Sequence, residues 1–251
     1  MKKYYPKIVV IEEEYEIPQL GAKRKISALL PHDYDRTEKH YPVLYLQDGQ
    51  NLFNPMAPFG DWAIDKSMRR LAQLNQGDVI IIAVDHGEEE RIKEYMPYDH
   101  NKFGMGQGDC YVEFLKDKLI PYVNSNYRVK TGLEDTGIGG SSMGGLISLY
   151  AGFKEPSVFG KMMIFSPSLW LSEEIFDDAE IFNPENNSKM YLYAGGKESQ
   201  AHLPNIRRLE TILNYKEDYE LNVSVNLEGQ HGEYYWGQEF PNAIKWLYYD
   251  N

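Results

Sequence analysis

Thr136 to Leu146 reads TGIGGSSMGGL, and within it Gly140-Ser141-Ser142-Met143-Gly144 has the form G-x-S-x-G. This is the pattern of a nucleophile elbow, a serine lifted above a sheet on a sharp strand-to-helix turn. A serine hydroxyl is a weak nucleophile until a base takes its proton, and the base needs an open path to it. The turn brings backbone segments so close that side chains two residues before and after the serine would clash, and glycine removes them. A helix starting near Met143 would aim its free N–H groups at the place where negative charge develops.

The pentapeptide by itself occurs by chance in roughly one chain in ten of this length. Its surroundings add weight. An extended segment, Glu134 to Ile138, precedes it, and an apolar helical run with Leu146, Ile147, Leu149, Tyr150 and Phe153 follows. Strand, elbow, helix is the required order. A phosphate-cradling turn is the rival reading. A dinucleotide fingerprint starting at Gly137 and Gly139 needs glycine where Ser142 stands, and a phosphate loop starting at Gly139 needs lysine where Gly145 stands. Both fail at the residue that matters most.

Working outward, Lys7 to Gln19 and Arg24 to Leu30 read as two extended segments joined across Gln19-Leu20-Gly21, an edge hairpin. Val43 to Leu46 is a short buried strand ending in the turn Asp48-Gly49-Gln50-Asn51. Trp62 to Leu74 reads as a helix with Ile64, Met68 and Leu71 on one face. Val79 to Val84 has no polar alternation, as expected of a strand buried on both faces of a parallel sheet. The long connection from Asp85 to Gly108 is of the kind that carries function. Asp109 is expected to cap the next helix, where Val112, Leu115, Leu119 and Val123 recur at helical spacing and Pro121 should introduce a kink. Beyond the elbow the reading is strand at Lys161 to Phe165, irregular chain from Ser166 to Ser188, and strand at Met190 to Ala194. Helix at Asn205 to Asn214, strand at Leu221 to Leu227 and helix at Phe240 to Tyr249 follow. Strands alternating with helices predict one α/β domain spanning residues 1–251, its mostly parallel sheet covered by helices on both faces.

An elbow serine needs a base and an acid, and in enzymes built on this turn they follow as acid and then histidine. Of six histidines only His202 and His231 lie beyond Ser142. His202 falls at the start of a predicted helix. His231 sits in the loop Gly229-Gln230-His231-Gly232-Glu233 after the last predicted strand, at the sheet end where catalytic groups gather, and is the expected base. Glu198 follows the Met190 to Ala194 strand by the turn Gly195-Gly196-Lys197 and is the favoured acid, with Asp177, Asp178, Asp218 and Glu220 as rivals. Two backbone N–H groups should form the oxyanion hole, one from Met143 and one from the Asp48-Gly49-Gln50-Asn51 turn, with Gln50 the expected donor.

Composition narrows the partners. Among 251 residues the net charge is −12, which argues against nucleic acid and anionic membrane surfaces. The longest apolar run, Val79 to Val84, is far too short to span a bilayer. The single cysteine, Cys110, excludes an internal disulfide and fits a reducing, cytoplasmic setting. Ser142 has the better nucleophile context of the two. The N-terminal stretch lacks the apolar core of a signal peptide. No H-E-x-x-H, C-x-x-C or EF-hand pattern suggests a metal. No oligomeric state follows from these features.

With these residues placed, the chain resembles the esterase family that includes enterochelin esterases, esterase D-like S-formylglutathione hydrolases, feruloyl esterases and mycolyltransferases. The resemblance runs from about Val43 to the C-terminus. It is carried by LYLQDGQNLF (44–53), Trp62, Arg91 with Glu94 and Tyr95, FLKDKLIPYVNSNYRV (114–129), GGSSMGGLISLY (139–150), FSPSLW (165–170), YAGGKE (193–198) and QHGEYYW (230–236). It implies an α/β-hydrolase without a large lid and without a cofactor, in which Ser142, His231 and Glu198 act as nucleophile, base and acid. It places Asn51, Arg91, Tyr95 and Trp170 on the substrate side. The expected activity is hydrolysis of a small or medium carboxylic ester through an acyl-enzyme. Acyl transfer by the same fold, or an inert binding member of it, are the alternatives.

Overall fold

The computed structural model describes residues 3–185, 187–217 and 219–250. The elements, in chain order, begin with β1 (Lys7–Ile17), β2 (Ala22–Leu30), β3 (Val43–Gln47), α1 (Ile64–Gln73) and β4 (Ile80–Val84). Then come α2 (Arg91–Glu94), α3 (Gly108–Phe114), α4 (Ile120–Asn126), β5 (Thr136–Ser141), α5 (Met143–Lys154) and β6 (Lys161–Phe165). The chain closes with α6 (Glu174–Ile181), β7 (Ser188–Gly195), α7 (His202–Leu213), β8 (Tyr219–Asn226) and α8 (Glu233–Tyr248). Among the described residues, one sheet of eight strands runs in the order β1-β2-β4-β3-β5-β6-β7-β8. β1 pairs antiparallel with β2, and β2 antiparallel with β4; the pairs from β4 to β8 are parallel. The expected edge hairpin and parallel centre are both present.

Side chains alternate across a strand, so an apolar strand covered on both faces feeds two cores. Val43 and Tyr45 of β3, Ile80 and Ile82 of β4, and Met162 and Ile164 of β6 point to one face, against α3, α4, α5, α6 and α7. Leu44 and Leu46, Ile81 and Ala83, and Met163 and Phe165 point to the other, against α1 and α8. Eleven of the twelve residues of α5 are buried, which is why its sequence is apolar all round rather than on one stripe. No helix among the described residues is long and apolar enough to cross a membrane.

Several boundaries differ from the sequence reading, each for a local reason. The stretch from Ser166 to Ser188 is not irregular throughout: α6 forms in it and buries Ile175, Phe176 and Ala179. Asp109 is not a helix cap. It lies in the first turn of α3 and accepts hydrogen bonds from Tyr150 and Lys154. Trp62 precedes α1, its N–H donated to Asn51 O. Pro121 lies at the start of α4, and the turn before it, Leu115–Leu119, widens into a π-helix. A π turn absorbs the carbonyl that proline's missing N–H leaves unpaired. α7 starts at His202 because Pro204 is tolerated in a first turn. α8 starts at Glu233 and runs through Pro241, held by burial of Trp236, Phe240, Ala243, Ile244 and Leu247.

Candidate active site

Ser142 stands between β5 and α5 at φ 57° and ψ −121°, a conformation an L-residue adopts at a cost of about 1–3 kcal/mol. Tertiary contacts hold it there. Its N–H bonds Phe165 O at 3.0 Å, and its carbonyl accepts the Ser168 N–H at 3.1 Å. The two elbow glycines are needed for the reason the spacing suggests. A Cβ on Gly140 would come within 2.7 Å of Gly144 O, and one on Gly144 within 2.6 Å of the Asp48 carboxylate. Burying one Leu or Ile of α5 returns roughly 1.5–3 kcal/mol, so the packed helix outweighs the strained serine.

The parallel strands deliver three loops to the same edge of the sheet. His231 Nε2 lies 2.9 Å from Ser142 Oγ, and its Nδ1 lies 2.6 Å from Glu198 Oε2. A carboxylate on Nδ1 selects the tautomer with the proton there, leaving Nε2 to accept from the serine hydroxyl. The Glu198 side chain is 2% exposed while that of His231 is 44% exposed. Burial alone would raise the Glu198 pKa. Hydrogen bonds from His231 and Ser166, the nearby His202 ring and the Gly195 N–H together hold it below the usual carboxylate value. Ser166 donates to Glu198 Oε1 at 2.6 Å and the Gly195 N–H to the same oxygen at 2.8 Å. Of the other acids considered, Asp178 accepts from Tyr98 and Glu220 pairs with Lys189, while Asp218 lies outside the described residues.

A cleft of about 1010 Å³ opens over Ser142. The Asp85 to Gly108 connection supplies one wall through His86, Glu88, Glu89, Arg91 and Ile92, and the His231 loop supplies another through Glu233 and Tyr234. Arg91 makes a two-pronged ion pair with Asp48 at 2.6 and 2.8 Å. Asn51 donates to Glu233 at 3.4 Å. Both Asn51 and Arg91 line the cleft. Tyr95 does not: it is fully buried beneath the Arg91 guanidinium and packs edge-on against Tyr111. Trp170 is 63% exposed on the turn Leu169–Leu171 and stands apart from the cleft lining. Gln50 lies in the turn Gly49–Asn51, its side chain accepting the His86 N–H at 3.0 Å. Met143 opens α5.

Ser166, Trp236 and His86 have no role legible in the sequence, and His202 falls at a helix start rather than in a loop after a strand. Ser166 is fully buried at φ 43°, just past the end of β6, a position from which a serine hydroxyl reaches a neighbouring loop. Its place in FSPSLW at a strand's carboxyl end was the available signal. Trp236 donates its indole N–H to Ser166 Oγ at 3.0 Å and stands edge-on to the His231 ring, centroids 4.9 Å apart. Burial pushes the His86 pKa down, and its Nδ1 accepts the Glu88 N–H at 2.9 Å. Elsewhere His32, Asp33 and Asp78 bring ligand-type atoms together, but the Lys39 ammonium lies 2.8 Å from Asp33 and 3.1 Å from Asp78 and is the cation of that cluster.

Comparison with known proteins agrees with this architecture. The profile of the family described as "Putative esterase" matches residues 17–247. Protein YbbA of Bacillus subtilis (strain 168) is 28% identical over 249 residues, covering 92% of this chain and 95% of its own. Among solved structures, BES protein from Bacillus cereus superposes with a TM-score of 0.79 at 18% identity, over 98% of this chain and 96% of the other. The siderophore hydrolase EstB from Aspergillus nidulans does so with a TM-score of 0.71 at 16% identity, over 98% and 96%. At such identities the structural matches speak for the fold, and the family match speaks for the chemistry. The chain belongs to this esterase family and is an enzyme that hydrolyses carboxylic esters.

Proposed function

We propose that Ser142 is the nucleophile of a two-step hydrolysis through an acyl-enzyme, with His231 as general base and Glu198 as the acid that orients it. The observation that carries the reading is the unbroken relay from Ser142 Oγ to His231 at 2.9 Å and on to Glu198 at 2.6 Å. Ser142 Oγ bonds to the ester carbonyl carbon while His231 Nε2 takes its proton; the same proton leaves with the alcohol. Water then attacks the acyl-serine by the same route and releases the acid. Gln50 and Met143 N–H groups are the proposed oxyanion donors, because Met143 is the first residue of α5 and its N–H has no helical acceptor. A Gly144 that abuts Asp48 brings the Gln50 turn against the elbow.

Asn51 and Arg91, which line the cleft, are the proposed substrate contacts. A cleft of about 1010 Å³ suits a small or medium ester. The lone Cys110 supports a cytoplasmic setting. The test is hydrolysis of p-nitrophenyl esters from acetate to octanoate by the wild type and Ser142→Ala, together with labelling by a fluorophosphonate probe. Turnover that falls by roughly 10⁴ in the variant, with loss of labelling, is expected. Equal activity of the two proteins would sink the serine mechanism.

A further inference from the structure

Two histidines face the Glu198 carboxylate. His231 Nδ1 lies 2.6 Å from Oε2, and on the same oxygen His202 Nε2 lies 3.5 Å away. His202 is the first residue of α7, four positions after Glu198, with its N–H bonded to Ser199 O at 3.0 Å. Its side chain is 7% exposed, and Nε2 has no hydrogen-bond partner among the described residues. It is absent from the cleft lining, so it is out of reach of a bound ester.

We propose that His202 is a positioning residue, presenting an Nε2–H to Glu198 that keeps the carboxylate ionised and turned toward His231. The inference rests on the reading of Glu198 as the acid of the relay. A lone pair on Nε2 facing a buried carboxylate oxygen would be repulsive, so the proton sits on Nε2. At 3.5 Å the contact is longer than a formed hydrogen bond and acts through charge and dipole. In so buried a site that interaction is poorly screened.

The arrangement also assigns the proton. Glu198 and His231 are the titratable groups acting on His202: burial holds the His202 pKa down, Glu198 raises it, and His231 lowers it. When His231 takes the serine proton, His202 therefore stays neutral and contributes a dipole rather than a competing charge. Oε1 is already occupied by Ser166 and Gly195, so all the freedom left to the carboxylate lies at Oε2, where the two rings meet. Without the His202 dipole, Glu198 would bear more of its charge toward His231 and bind the imidazolium proton more tightly.

The test compares His202→Gln, His202→Leu and His202→Asn with the wild type, with Ser142→Ala assayed alongside. Gln carries an N–H near the place of Nε2, Asn is polar but too short to reach, and Leu fills space only. For Leu and Asn we expect kcat to fall by about tenfold with KM unchanged, and the acid limb of the kcat/KM profile to move to higher pH. Gln should restore both the rate and the limb. The His231 Nδ1–H proton resonance should shift in Asn and return in Gln, a comparison that decides the matter even if the Leu variant does not fold. An acid limb and resonance that stay in place in Asn, or a Gln variant no better than Asn, would overturn the proposal. A fully active Ser142→Ala would instead show that the relay reading had failed, and the role of His202 with it.

Discussion

Trp236 and Ser166 are joined by a buried hydrogen bond of 3.0 Å, and the same serine hydroxyl donates its own hydrogen bond to Glu198 at 2.6 Å. A tryptophan on the last helix thus fixes the direction of a hydroxyl that fixes the Glu198 carboxylate. Ser166→Ala would leave the indole N–H without an acceptor and remove a donor from Glu198. The expected cost is about 1–3 kcal/mol of stability, or several degrees in Tm for a chain of this size, with kcat/KM reduced by about tenfold. Thermal melts and steady-state kinetics on one preparation check both effects.

Glu198→Gln should be far more damaging than its change in shape suggests. Ser166 and the Gly195 N–H both donate to Oε1, so the amide oxygen would stay there and the amide nitrogen would face His231 Nδ1. Nδ1 would then have to accept, leaving Nε2 protonated against the serine hydroxyl. A wrong tautomer of this kind costs about 10⁴ in kcat. Ester turnover within tenfold of wild type would contradict the assignment.

Burial pushes the Asp85 pKa up from 3.8 to about 6, against the opposing pull of Lys25. A carboxyl with a raised folded pKa favours the folded state fully below its unfolded value, and that contribution is lost as pH rises through about 6. Asp85→Asn should therefore change little at pH 4 and stabilise the protein at pH 7.5. After discounting for partial exposure, the gain is on the order of 1 kcal/mol. Urea denaturation at the two pH values measures it; an equal effect at both would refute the linkage.

Arg91 is mostly buried, and its Nε and Nη2 are both engaged by Asp48, itself a residue at φ 59°. Arg91→Met would leave a buried carboxylate unpaired beside the elbow, at a cost of about 3 kcal/mol. A drop in Tm of roughly 6–12 °C is the expected reading. Arg91→Lys should recover part of it, since one ammonium replaces only one prong.

Charge should also sort the substrates. Asp61, Glu88, Glu89 and Glu233 line the cleft, and the guanidinium in its lining, Arg91, is already paired with Asp48. An ester carrying an ammonium group should be hydrolysed about tenfold faster, by kcat/KM at low salt, than its carboxylate counterpart, and the gap should close as salt is added. A preference that ignores ionic strength would show that the walls do not set it.

Much of this was legible in the chain. The elbow, the alternation of strands and helices, and His231 in the loop after the last strand follow from local sterics and from chain order. The apolar runs at Val43 and Val79 have the character of strands buried on both faces, and they are. Less legible were helices that form against local preference. α8 crosses Pro241 because its apolar face is buried on the sheet, and α6 arises in a stretch with no strong periodicity.

Local chain chemistry was enough to lift a serine on a strained turn at the end of a parallel strand, because only the glycines at 140 and 144 allow that close approach. Packing in three dimensions set which groups gather around Glu198 and its partners. Ser166, Trp236 and His202 lie on three separate segments; only Ser166 has a local signal, its place in FSPSLW just after a strand, and no local pattern gives the other two a role. Ser166 and His202 meet at Glu198, with Trp236 bonded to Ser166, because parallel pairing aligns the carboxyl ends of β6 and β7, while α7 and α8 pack on opposite faces of the sheet. Distance in space, set by packing, is the information that a single line of residues does not hold.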